Sequence, residues 1–139
     1  MKQMSTATLL VFLVGCGKPA DTGPSAPAAA TTPHAKARAV VTQWLEDEKR
    51  GDGHLTSWCS YPGTEVFGGK MTLHAVRSYD IKSVTAEPNV GEAGKWYRNG
   101  VYIVRVRVES SDRDGRHITK DYGVAVGDTG STMCLIGGR

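Results

Sequence analysis

The tightest constraint on this chain is a pair of alternating segments joined by a turn. Over residues 101–110, Tyr102, Val104, Val106 and Val108 fall on one side, while Arg105, Arg107 and Glu109 fall on the other. That period of two belongs to a strand with one buried face. The turn that follows, Arg113-Asp114-Gly115, has Gly where a three-residue hairpin loop needs a left-handed residue. This loop sets Val104 opposite Val124, Val106 opposite Tyr122 and Arg107 opposite Asp121. A two-residue loop would shift the parity and turn His117, Thr119 and Asp121 into the core, so the three-residue loop is the one expected.

Around this hairpin the rest of a sheet is legible. Val76–Glu87 reads as a strand ended by Pro88. Asp128-Thr129-Gly130 repeats the loop chemistry and predicts a last strand over 131–136, with Cys134 and Ile136 on the valine face. The expected sheet is an antiparallel meander. Before it, Thr32-Pro33 supplies a cap and a first-turn proline, and Ala37, Val40, Val41, Trp44 and Leu45 follow at helical spacing. This amphipathic helix should end near Arg50, with Gly51 and Gly53 supplying left-handed conformations. Asp52 then stands as the cap of a short second helix carrying Leu55, Trp58 and Cys59, stopped by Pro62-Gly63. Residues 64–75 carry no readable period. The fold class expected is α+β: an N-terminal amphipathic helix and a short second helix packed on a curved antiparallel sheet of about four strands. With 139 residues, 40% hydrophobic and 22% charged, the chain has room for one such domain and no second core.

The first residues read differently. Lys2 is a short basic region, residues 7–14 are mostly apolar, and Leu13-Val14-Gly15-Cys16 follows. The apolar run is about half the roughly 20 residues that a spanning helix needs, which makes 1–15 a signal peptide. Leu-Val-Gly-Cys resembles the lipobox of bacterial lipoproteins. The resemblance implies cleavage between Gly15 and Cys16 and diacylglyceryl transfer to the Cys16 thiol, the nucleophile that accepts the lipid as a thioether. Several acyl chains on one residue give the stable attachment that a single chain does not. Gly17 follows the cysteine, and the absence of Asp there implies, by the same resemblance, outer-membrane sorting in a diderm host. The expected place is thus a bacterial membrane, facing the periplasm or the exterior. Residues 16–33 hold the lipidated cysteine and a Pro/Ala/Thr-rich tether, too poor in apolar residues to offset its own ordering. Residues 34–139 form the domain.

Once Cys16 carries lipid, Cys59 and Cys134 are the remaining thiols, in a compartment where disulfides persist, and they are expected to pair. Closing a loop of about 75 residues stabilises by roughly 4 kcal/mol in the chain-entropy picture. Loss of Lys2 leaves 16 basic against 14 acidic residues, too even a balance for a nucleic-acid footprint.

The search for chemistry yields little. Asp128-Thr129-Gly130-Ser131 spells the aspartic-protease motif, but the strands that would have to follow it are missing. His34, His54, His74 and His117 have no ligand neighbours at metal spacing, so neither metal nor cofactor is expected. A Cys59 nucleophile with His74 or His117 would need a free thiol. Residues 89–100 stand apart, because they place Trp96-Tyr97-Arg98 beside an Asn-Gly turn. They read either as a binding loop or, over 95–98, as a short strand.

The order of elements, with the fragments Ala39-Val40-Val41-Thr42-Gln43-Trp44-Leu45 and Tyr102-Ile103-Val104-Arg105-Val106, is similar to the nuclear-transport-factor-2-like and cystatin-like superfamilies. That resemblance implies a cone between helix and sheet, which serves enzymes, carriers and assembly modules alike. The expected function is a non-enzymatic envelope binding or assembly module for a protein partner or small ligand, with Trp96, Tyr97, Arg98, Arg105 and Arg107 as its surface. The alternatives are an enzyme using Asp80, His74 or His117 in the cavity, and a lipid-anchored hydrolase inhibitor presenting residues 89–100.

Overall fold

The structure, a computed structural model, describes residues 32–139. The signal segment, Gly15, Cys16 and the tether as far as residue 31 lie outside the described residues. The Thr32 hydroxyl accepts the Ala35 N–H at 3.1 Å and opens helix α1 (Pro33–Arg50), with Pro33 where no N–H is needed. Gly51 closes it at φ +84°, returning its N–H to the last carbonyls. The buried stripe is Ala37, Val41, Trp44, Leu45 and Glu48, spaced three and four apart on one face.

The helix lies on an open antiparallel sheet of four strands in sequential order: β1 (Val76–Glu87), β2 (Gly100–Ser111), β3 (His117–Asp128) and β4 (Met133–Gly138). Val104 stands opposite Val124, Val106 opposite Tyr122 and Arg107 opposite Asp121. Gly115 takes φ +82° in the loop, and Asp112 Oδ1 accepts the N–H groups of Asp114 and Arg116, which fixes the turn. Bulges in β1 between Val76 and Ser78 and between Ile81 and Ser83 re-aim that strand, so that Val76, Ile81 and Val84 all reach the helix side. There they meet Val104, Val106, Val108, Val124 and Val126 beneath Trp44 and Leu45.

A second core forms on the opposite face, where Phe67, Ala93 and Tyr97 cover Val101, Ala125, Cys134 and Ile136. It corrects the expectation that Cys134 and Ile136 share the valine face. Val126 pairs with Leu135 and Asp128 with Met133, so Leu135 points to the helix instead. The loop is four residues, not three, because Thr129 closes it: its N–H and hydroxyl both donate to the Thr132 carbonyl, and its hydroxyl accepts the Thr132 N–H. A shift of odd parity flips every side chain beyond it.

The second helix is also corrected. Only Gly53–Leu55 turns, as a single 3-10 turn without a side-chain bond from Asp52. Thr56 is extended, Trp58 bridges Leu135 in parallel, and the Cys59 N–H donates to the Leu135 carbonyl at 2.8 Å. An extended strap has opposite faces on successive residues. Trp58 accordingly packs toward the helix core, edge-on to Trp44 at 5.4 Å, while Cys59 enters the second core. This brings Cys59 to disulfide distance of Cys134, with Cα atoms 5.8 Å apart. Gly53 is not left-handed; a Cβ there would strike the Glu48 carboxylate.

Candidate functional site

The face away from the helix carries two loops knitted together. Residues 91–97 turn on the Ala93 carbonyl, which accepts the N–H groups of Trp96 at 3.0 Å and Tyr97 at 2.9 Å. Tyr97 thereby drops into the second core at 1% exposure, its ring against Gly127, where any Cβ would clash. Tyr97 is therefore a core residue and not part of a contact surface. Its hydroxyl has no partner among the described residues, and burial pushes the phenol up to about 12, so it stays neutral.

Trp96, one residue earlier, points outward at 44% exposure. Tyr61 stacks on it, with centroids 4.9 Å apart and planes 7° from parallel, and meets the Tyr97 ring edge-on at 5.6 Å. Three devices hold Tyr61 there. Cys59 fixes the chain before it. The Thr64 N–H and hydroxyl both donate to the Tyr61 carbonyl, at 3.1 and 2.7 Å. Gly63 lets the loop lie directly on Glu92 and Ala93. The result is a rigid, exposed aromatic ridge, of the residue types that anchor interfaces.

Three hollows lie among these loops and the strands they cover, one of them against Tyr61. One of about 740 Å³ lies between Trp58, Tyr61, Pro62, Glu65, Lys70 and Ile136. Another of about 520 Å³ is lined by Gly63, Val66, Pro88, Val90 and Glu92. A third of about 220 Å³ shares Val66 and Asn89 with the second and adds Glu87, Ile103, Arg105 and Arg139.

The other residues expected at the surface are dispersed. Arg98 is exposed beyond Tyr97. Arg107 is held by Asp121 through Nε at 2.8 Å and Nη2 at 3.1 Å, which raises the guanidinium and lowers the Asp121 carboxyl. Arg105, two positions along the strand, has no such partner among the described residues and lies over Gly123. Residues 95–98 are not a strand; Lys95 ends the 3-10 turn Gly91–Lys95, Trp96 caps it, and 97–98 follow outside regular structure.

The candidate acids and bases do not converge. Asp80 is exposed and ion-paired with Lys82, whose ammonium lowers its carboxyl. His117 faces Glu109 at 3.4 Å, and His74 is exposed elsewhere. Asp128 uses its carboxylate to accept the Gly130 N–H at 2.9 Å within the turn. Among the described residues no three His, Cys, Asp or Glu side chains stand together as metal ligands, and no helix is long and apolar enough to cross a membrane.

Sequence reasoning missed Tyr61, Val66 and Glu48. Glu48 had a signal: it continues the stripe Val41, Trp44, Leu45 at helical spacing, so it had to be a buried acid. It accepts the Trp44 Nε1 hydrogen at 3.0 Å, and burial raises its carboxyl above the ordinary value of 4.5. Tyr61 precedes a Pro-Gly turn and carried no period to expose it. No family model, curated protein or solved structure matches the chain.

Proposed function

We propose that the chain is a lipid-anchored envelope protein whose domain binds a protein partner or small ligand without catalysing a reaction. The anchor rests on Leu13-Val14-Gly15-Cys16. The binding reading rests on one observation: Trp96 and Tyr61 are stacked and exposed at 44% and 38%, with Tyr61 held by its own turn to Thr64 and by the Cys59 link just before it. Exposed aromatic surface held rigid costs free energy in water and loses little entropy when covered. One helix on a four-stranded antiparallel sheet supports the likeness to the nuclear-transport-factor-2-like and cystatin-like layouts. The reading as a hydrolase inhibitor is weaker, since residues 89–100 lie against the sheet and bury Ala93 and Tyr97.

The test is cross-linking and affinity purification from the native envelope, with mass spectrometry of the proteins and small molecules retained. A stoichiometric companion retained by the unaltered chain, and reduced at least about tenfold by Trp96→Ala, is the expected outcome. Equal retention by both chains, or no companion at all, contradicts the reading.

A further inference from the structure

The hollow of about 740 Å³ and the aromatic ridge share Tyr61, which makes them one surface. That volume falls within the roughly 300–1,000 Å³ of small-molecule sites. Its walls mix two kinds of group. Tyr61 and Pro62 supply apolar surface, while Ser60, Glu65 and Lys70 supply polar ends. All three polar residues are exposed, and among the described residues their side chains have no hydrogen-bond or ion-pair partner.

Charge and shape narrow the occupant. Glu65 and Lys70 are the formally charged side chains on the wall, one of each sign, so an anion meets Glu65 and a cation meets Lys70. A wholly apolar body would strip water from the polar ends and return no hydrogen bond. Proline-rich peptides dock in aromatic-lined grooves, whereas Tyr61 and Trp96 stack on each other 7° from parallel and leave no slot between them. What remains is a neutral ligand with a flat apolar face and a polar edge. A pyranose ring is built that way: its C–H face lies on aromatic surface, and each hydroxyl both donates and accepts. Two hydroxyls then serve both ends of the wall, one donating to the Glu65 carboxylate and one accepting from the Lys70 ammonium.

We propose that this surface binds a short neutral oligosaccharide, with one sugar ring in the hollow against Tyr61 and Pro62, its hydroxyls on Ser60, Glu65 and Lys70, and the chain continuing along the ridge to Trp96. The inference names a ligand class for the binding reading above and rests on it.

The full lipidated chain, in a detergent without sugar groups, is titrated by calorimetry with maltotriose, cellotriose and the N-acetylglucosamine trimer, all neutral. The cationic glucosamine trimer and octaproline are the comparisons. Saturable binding of at least one neutral trisaccharide is expected, at least about tenfold tighter than either comparison. Glu65→Ala and Lys70→Met should each weaken it about tenfold, and both replace exposed side chains without partners, so the fold is kept. Arg113→Ala, at the distant β2–β3 turn, should leave affinity unchanged. No binding by any neutral trisaccharide, equal binding by the glucosamine trimer or octaproline, or unchanged affinity in Glu65→Ala or Lys70→Met overturns the proposal. Failure here with Trp96-dependent capture intact removes this inference alone; failure of that capture with a trisaccharide bound removes the wider reading's envelope companion alone.

Discussion

Glu48 shows how much one buried residue organises. Its carboxylate takes hydrogen bonds from Trp44 Nε1 and from the Leu73 backbone N–H, and it stands where Gly53 leaves room. Burial is the largest cause of its raised carboxyl, with Asp47 adding to it and His54 opposing. A raised acid binds its proton more strongly in the folded chain than in the unfolded one. Its contribution to stability is fully present below the ordinary value of 4.5 and is lost as pH rises through the folded value. Urea unfolding of the domain between pH 4 and neutrality should show this decline, and Glu48→Gln should flatten it. An identical slope in both proteins would assign the pH dependence elsewhere. The residue was legible in principle, as the acid in an apolar stripe. Tyr97 was legible only as an aromatic, because its burial depends on Gly127, thirty residues away in sequence, leaving space for its ring.

At the level of elements, what was readable and what was not divide by locality. Helix α1 announces itself through Thr32, Pro33 and Gly51, and the β2–β3 register through Gly115 and two alternating faces. Both depend on residues near one another in sequence. Residues 53–75 do not, for Leu55, Trp58 and Cys59 fit a helical face and an extended strap equally well. The choice is made by the free edge of β4, whose Leu135 carbonyl takes the Cys59 N–H. The parity of β4 in turn follows from the four-residue turn that the Thr129 N–H and hydroxyl close on Thr132. The Cys59–Cys134 link ties this strap to the sheet across 75 residues. Cys59→Ser with Cys134→Ser should lower stability by about 2–4 kcal/mol. It should also speed hydrogen exchange over residues 59–68 ahead of α1, since the strap is the support of Tyr61. Unchanged exchange there would mean that the aromatic ridge does not depend on the link.

Taken whole, the molecule has two dissimilar faces on one sheet. The helix side is a continuous apolar core, and the opposite side is half core, half polar ladder, with the Tyr61–Trp96 ridge at its loops. In the proposed reading the recognition chemistry sits on the loop-covered face, and a tether of about sixteen residues, if extended at roughly 3.1 Å each, lets that face work up to about 50 Å from a bilayer. The envelope reading rests on the lipid. The most direct test is mass spectrometry of the mature N-terminus purified from the membrane fraction of its native host. The account predicts a chain beginning at Cys16, heavier by a diacylglyceryl group, and a Cys16→Ser variant that leaves the membrane fraction. A chain retaining Met1, or an unmodified Cys16 in a protein recovered without the membrane, would contradict it.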